Sequence, residues 1–547
     1  MDKKEDSLKN KIWRLFLLLL FICNVVIRFY KLGTNIPNAY VDEAAIGYSS
    51  WCLANYGTDR YLNSFPIYIK NFYGGSSAAY SYLLIPIIKI FGLNLFSERF
   101  LNAFAYAAVF PVIYLILKRV LKSRLSIALT LLIYTFSPFI IILSRTGLDC
   151  NLLFPTIVIA FYFTLKAMET EQTKWYAAAA AVYGFSLYTY ALAYIIVPVF
   201  LIFIFIYMEL SRKITLKQVF VVIGILVCMG IPILVQLITL LLNKETWSFG
   251  LFTFISMTVK RTKEFSLSYI WDNLKKLLII MPIHEDSMFC SISFCNFYAL
   301  SIPFLIYGIA RTIKVALKEK SKGMILTFGL FVISFGTFLI TKRVFLYKTN
   351  VLILPIILYI GYGIDGFLMN MKIEKCIIMT GIYLMSSLLF INSYFISGEF
   401  QDWFKDNYSI TEDDFNEVLD YADQLQMTSN IDSIEFTASA SSSAPDIYII
   451  GGDNNWIYIP FYLGGIDPHE ISNLDDTKDV WDYSYKNIHV EEPKEYDKTA
   501  IYAVSKNFLS KEYDKEHIQN IINQCPNQIN LTYYIVYTSN VNDSAIK

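Results

Sequence analysis

Apolar runs of roughly 20 residues recur along most of this chain, and no other feature constrains its fold as strongly. Lipid offers no hydrogen-bond partner to backbone N–H and C=O groups, so each run must satisfy them internally as a helix. The runs fall at about 15–27, 100–117, 125–143, 152–168, 176–193, 194–210, 217–242, 296–310, 323–341, 349–368 and 376–395, which predicts about eleven spans. Composition agrees: 17% of the 547 residues are charged and 55% are hydrophobic, whereas soluble domains carry about a quarter charged residues. The expected fold class is mainly α, a polytopic membrane helical bundle over residues 1–397, with a C-terminal mixed α/β domain over 398–547.

Charge placement predicts an orientation. Lys3, Lys4, Lys9, Lys11 and Arg14 precede the first run, no small-residue cleavage site follows it, and it reads as an uncleaved first span with a cytoplasmic N-terminus. Lys118, Arg119, Lys122 and Arg124, then Arg212, Lys213 and Lys217, then Arg311, Lys314, Lys318, Lys320 and Lys322 mark cytoplasmic loops; the opposite connections at 144–150 and 190–195 carry only Arg145. An odd number of spans places the C-terminal domain outside, at the cell membrane. The segment 80–91 is short for a span and reads as a helix on the membrane surface within a long first outer loop, 30–98. In the C-terminal domain, Thr411 before Glu412, Asp413 and Asp414 starts a helix. Strand-like runs follow at 433–438, 446–450, 456–462 and 500–504, then a helix at 509–523 and a strand at 531–538. Asn530-Leu531-Thr532 matches a glycosylation sequon.

Several function classes recede on these residues. Lys+Arg and Asp+Glu balance at 46 each, giving no basic surplus for nucleic acid, and no phosphate-loop or dinucleotide fingerprint is present. The four histidines are scattered and no zinc-type spacing occurs, so no metal or other cofactor is expected, with a divalent ion left open. Cys23, Cys228 and Cys376 fall in apolar runs; Cys290 and Cys295 are close enough to pair on an oxidising side, which spacing alone does not establish. The span interiors are almost free of charge, whereas ion-coupled transporters keep charged groups at mid-membrane. Here ionisable groups gather at the outer ends: Asp42 and Glu43, Lys70, Glu98 and Arg99, Arg145 and Asp149, His284 to Asp286, Lys342 and Arg343. Snorkelling explains some of them singly, but not their bias to outer loops.

The adjacent carboxylates Asp42 and Glu43 stand just beyond the first span. Asp42 suits a helix N-cap, and the pair suits a helix's first turn, so a structural role stands beside a catalytic one. Context favours catalysis. Asp42-Glu43-Ala44, a polar loop, Tyr80-Ser81-Tyr82 through Ile90-Phe91-Gly92, and Ser97-Glu98-Arg99-Phe100 resemble the polyprenyl-phosphate-dependent glycosyltransferases of the GT-C superfamily. That group includes protein O-mannosyltransferases and lipid A aminoarabinose transferases. The resemblance is most specific over 37–115 and extends as topology to about 395. Many members read Arg-Leu-Pro where this chain has Arg99-Phe100-Leu101.

The resemblance implies inverting transfer of one sugar from a polyprenyl phosphate to an acceptor hydroxyl on the outer face, the acceptor being a glycan, lipid or protein. Asp42 and Glu43 are then the catalytic candidates, Asp42 as base and Glu43 as the residue that orders the loop or binds acceptor. An anionic phosphate leaving group needs cations, and Lys70, Arg99, Arg145 and Arg343 are the candidates. Family members support Lys70, ahead of the second surface helix, and Arg343, ahead of Leu354-Pro355. His284, Glu285 and Asp286, within the outer segment 243–295, suit a lid or acceptor contact, or else a solvated loop. The alternatives are a lipid-linked-sugar flippase or transporter, and an envelope polysaccharide polymerase or ligase. Mid-membrane charge would favour the first, and a functional loop late in the chain the second.

Overall fold

In the computed structural model the described residues are 2–36, 39–71, 74–257, 265–279, 295–318, 321–342, 344–368, 373–401, 418, 446–450, 457–471, 483–485, 488–490, 493, 495–505, 515–530 and 534–539. The N-terminal part runs α1 (Asp2–Phe29), α2 (Val41–Tyr56), the hairpin β1 (Tyr68–Asn71) and β2 (Gly74–Ser77), and α3 (Ala78–Phe91). There follow α4 (Leu95–Ala108), α5 (Phe110–Val120), α6 (Arg124–Phe136), α7 (Pro138–Ser144), α8 (Leu153–Thr170), α9 (Thr173–Ser186), α10 (Ala193–Leu210) and α11 (Leu216–Leu241). After the small hairpin β3 (Trp247–Phe249) and β4 (Phe252–Phe254) come α12 (Ile270–Ile279), α13 (Ser301–Lys318), α14 (Lys322–Leu339), α15 (Ile353–Leu368) and α16 (Ile373–Phe395).

Every apolar run is helical, but they are not equal as spans. Among the described residues eight helical stretches are long and apolar enough to cross a membrane, and nine if α6 and α7, bent by 50° at Ser137-Pro138, count as one. The other two expected spans are α9, only 14 residues long, and α13, which carries Arg311, Lys314 and Lys318. Continuity through α4 and α5 lets one span cover Leu95–Val120. The 14-residue α3 is too short to span, as expected.

Burial separates the centre from the rim. Residues Ile353 to Gly366 of α15 are buried without a break, whereas α11 exposes Phe220, Ile223, Val227, Ile231, Leu234 and Ile238. Such a face is unstable in water and at home in hydrocarbon. The centre is packed closely enough to require glycine: a Cβ on Gly308 of α13 would lie 1.9 Å from the Tyr359 carbonyl oxygen, and one on Gly363 of α15 would lie 2.0 Å from that of Phe304.

The C-terminal region contributes β5 (Ile447–Ile450), α17 (Tyr458–Tyr462), β6 (Tyr483–Tyr485), β7 (Ile488–Val490), β8 (Ile501–Ser505), α18 (Lys515–Gln524), β9 (Asn527–Asn530) and β10 (Tyr534–Thr538). Its six described strands form one mixed sheet in the order β6-β7-β5-β8-β10-β9, parallel across β5-β7 and β5-β8 and antiparallel elsewhere. The run at 456–462, expected as a strand, is instead the short helix α17. Its Tyr458 and Phe461 pack in one cluster with Ala44, Tyr48 and Cys52 of α2, and this tertiary contact decides the conformation of a short apolar run. Gly465, at φ +111°, leaves room for the ring of Trp51 on α2. The expected helix after Thr411, the strand at 433–438, Cys290 and most of the sequon lie outside the described residues.

Candidate active site

The site is built at the start of α2. Tyr40 is extended at φ −75°, ψ 147°, and the helix begins at Val41. Glu43 turns back so that its Oε2 accepts the Tyr40 amide at 3.0 Å. The carboxylate that closes this helix start is therefore Glu43. Asp42, expected as a possible N-cap, sits one position inside the helix and faces elsewhere.

Glu43 is occupied on every side. Its Oε1 accepts the Gly147 amide at 2.6 Å and Arg99 Nε at 3.0 Å, while Arg99 Nη2 donates to Oε2 at 2.9 Å. Both side chains are buried, and Arg99 Nη1 donates to the Ile36 carbonyl at 2.6 Å. The forked guanidinium matches the carboxylate bidentately, so Arg99 ties α4 to α2. The structure thus places this expected phosphate ligand against Glu43. Glu98, next to Arg99 and fully buried, lies where a Cβ on Gly47 or Gly147 would stand, and neither of its oxygens has a hydrogen-bond partner among the described residues.

Arg145 also turns inward. Its Nη1 donates to the Ile27 and Arg28 carbonyls at 3.0 and 2.9 Å, Nη2 to the Lys31 carbonyl at 3.0 Å, and its guanidinium lies 4.9 Å from the Phe395 ring centre. A cation there satisfies the open carbonyls at the C-terminus of α1. A buried arginine and a ligand-binding arginine at a span end look alike until the partner, distant in sequence, is known.

Asp42 has different company. Its Oδ1 accepts Asn71 Nδ2 at 2.9 Å, and Asn71 Oδ1 accepts Arg60 Nη2 at 2.8 Å. The turn that presents Arg60 is held by Asp59, whose Oδ1 accepts the amides of Tyr61 and Asn63, each at 2.9 Å. Burial pushes the Asp59 carboxyl above its ordinary value, against the pull of the Asn63 and Tyr61 amides and of Arg60. Lys70, beside Asn71 on β1, is buried with its ammonium 5.7 Å from the Tyr61 ring centre.

Two further turns close on Asp42. One is the 3-10 turn Asp149–Leu152, in which Asp149 Oδ2 accepts the Ser77 amide at 3.0 Å. The other is Leu346–Leu352, joined to the first by Asn350 Nδ2 donating to the Cys150 carbonyl at 2.6 Å. Asp42, Asp149 and Lys348 are all within electrostatic reach of the Cys150 thiol, and Asp42, Tyr40 and Tyr190 of the Tyr347 hydroxyl. The Lys348 ammonium lies 5.0 Å from the Phe345 ring centre. Thus the structure gathers Asp42, Asp149 and Lys348 about the Cys150 thiol, with Lys70 one residue from Asn71 on β1. Arg343, His284, Glu285 and Asp286 lie outside the described residues.

Asn71, Arg60 and Lys348 carry no sequence motif of their own. Only Lys348 could have been singled out, as the second basic residue of the segment that Arg343 begins.

Residues 77–238 match the model of a family described as dolichyl-phosphate-mannose-protein mannosyltransferase. That segment begins at the end of β2, beyond the acidic pair. No curated protein sequence matches the chain. Among solved structures, ArnT from Cupriavidus metallidurans bound to undecaprenyl phosphate is similar at 11% identity and a TM-score of 0.55, over 96% of this chain and 97% of that one. The apo oligosaccharyltransferase of Archaeoglobus fulgidus is similar at 11% identity and a TM-score of 0.50, over 83% of this chain, which spans 64% of that longer one. At these identities the likeness is one of fold. With the family match it bears out the resemblance to polyprenyl-phosphate-dependent transferases of the GT-C fold.

Proposed function

We propose that this chain is an inverting glycosyltransferase that moves one sugar from a polyprenyl phosphate to an acceptor hydroxyl at the outer membrane surface. The observation that carries the reading is the division of labour within the acidic pair. Glu43 is buried in an ion pair with Arg99, while Asp42 is held by a neutral amide beside the turns that carry Asp149 and Lys348. A base must be anionic and within hydrogen-bond reach of the proton it takes. With Glu43 committed to Arg99, Asp42 is the carboxylate that suits that task.

In the proposed step the acceptor oxygen attacks the anomeric carbon, its proton passes to Asp42, and the bond from that carbon to the phosphate oxygen breaks. The configuration inverts and the electron pair leaves on the polyprenyl phosphate. Lys348 and Lys70, with Arg343 from the same segment as Lys348, neutralise that leaving anion. The reaction so drawn uses no cofactor. The bound undecaprenyl phosphate of the ArnT structure supports a lipid-phosphate donor here by likeness of fold.

Replacing Asp42 by Asn tests this. The shape is kept but the proton acceptor is lost, so transfer from a defined polyprenyl-phosphate sugar should fall by about 10²–10⁴-fold with thermal stability close to wild type. A stable and fully active Asp42→Asn enzyme would sink the mechanism.

A further inference from the structure

Asp42 does not stand alone in the loop: a polar chain of three side chains ends on it. Arg60 is 1% exposed. One end of its guanidinium grips α2, with Nη1 donating to the Ala45 carbonyl and to Ser49 Oγ, each at 2.9 Å. The other end donates from Nη2 to Asn71 Oδ1 at 2.8 Å, and Asn71 Nδ2 donates to Asp42 Oδ1 at 2.9 Å. Asn71 is the last residue of β1, paired with Gly74 across the hairpin, so its backbone is fixed by the strand ladder. Amide orientation follows from charge: only with the oxygen toward the guanidinium and the NH₂ toward the carboxylate are both contacts attractive.

We infer that Arg60 and Asn71 are positioning residues for the base, holding the Asp42 carboxylate in one rotamer and, through the polarised amide, favouring its anionic form. This rests on the reading of Asp42 as base. The physical ground is that a hydrogen bond to the charged form of an acid favours that form, and that hydrogen bonds in series polarise one another in a buried setting. An arginine placed directly on Asp42 would do more for its charge, but would lock the carboxylate as Arg99 locks Glu43. Interposing a neutral amide conveys part of the cation's field and leaves Asp42 outside a salt bridge with Arg60.

Among the described residues, the charged and titratable groups on the elements around Asp42 include Tyr40 and Glu43 on its own segment, Arg60 and Lys70 from the loop and β1, Asp149 and Cys150 from one turn, and Tyr347 and Lys348 from the other. Of these, Arg60 is the one that Asn71 itself contacts.

The test is the pH profile of sugar transfer by the full-length enzyme. Asn71→Asp keeps an oxygen acceptor for Arg60 but sets a carboxylate against Asp42. Two carboxylates sharing a site raise the apparent pKa of one of them, so the acid limb of kcat/KM should move to higher pH by about one unit. Asn71→Asp should lower kcat more than it raises KM. Arg60→Gln keeps a donor without the charge and should move the limb in the same direction by less; it decides the matter if Asn71→Asp does not fold. An unshifted limb in a folded variant, with Asp42→Asn inactive, overturns the positioning role while leaving Asp42 as base. A fully active Asp42→Asn enzyme overturns the base itself.

Discussion

At the scale of single residues, adjacency in sequence conceals opposite fates. Asp42 and Glu43 read as one motif, yet a helix start turns successive side chains about 100° apart, and the two meet different partners. Glu43 meets Arg99, 56 positions away. That pair sets a prediction about stability. Removing the carboxylate leaves a buried guanidinium uncompensated, which costs about 3–5 kcal/mol, so Glu43→Gln should lower the melting temperature far more than Asp42→Asn does. Replacing both partners by apolar residues, as in Glu43→Leu with Arg99→Met, should recover much of the loss. Thermal denaturation of the three variants beside wild type in detergent decides it, and a Glu43→Gln protein as stable as wild type would remove the ion pair from the account. The sequence showed which residues are charged at the outer surface. It could not show that Arg99 and Arg145 point inward or that Asn71 and Arg60 reach Asp42, because those contacts join segments that only the tertiary fold brings together.

At the scale of elements, helices were legible because lipid leaves them no alternative, and each apolar run became one. Limits of a different kind appeared where a run was short. The segment 456–462 has the apolar character of a strand and becomes α17 because it packs on α2. Whether a helix spans depends on length and charge, which is why α9 and α13 stand apart from the rest. Yet α13 is deep in the bundle on one side, where it meets α15 through Gly308 and Gly363. In helix pairs of this kind small residues allow the backbones to approach closely. Gly363→Ala would drive a methyl group into the Phe304 carbonyl, and Gly308→Ala into that of Tyr359. Each change should separate the helices and destabilise the protein by about 1–3 kcal/mol, the usual cost of overpacking. Gly224 and Gly336 meet nothing within 4 Å, so alanine there is the matched control. Equal melting temperatures for Gly363→Ala and Gly224→Ala would show that the α13–α15 contact is not tight.

At the scale of the whole molecule, the C-terminal region is not an appendage. Tyr462 Oη accepts the Ala39 amide at 3.1 Å, just ahead of α2, and Tyr48 Oη on α2 donates to the Ile466 carbonyl at 2.9 Å. The buried cluster that holds α17 also holds α2 and α3. The helix that begins with Asp42 is therefore gripped by the bundle on one side and by the C-terminal sheet region on the other, and both must lie on the same side of the membrane. Basic loops at 118–124, 212–217 and 311–322 predict that their own side is the cytoplasm, and the expected place of Asp42 and the C-terminal region together is then outside. Protease added to intact cells should then remove an epitope fused at Lys547, and a cysteine-directed, membrane-impermeant reagent should label a probe cysteine placed at Lys498. Labelling at Lys118→Cys should require permeabilised cells. If instead the Lys547 epitope is protected until permeabilisation and Lys118→Cys reacts from outside, the orientation is inverted. Asp42 would then face the cytoplasm, and the outer-face transfer proposed here would fail with it.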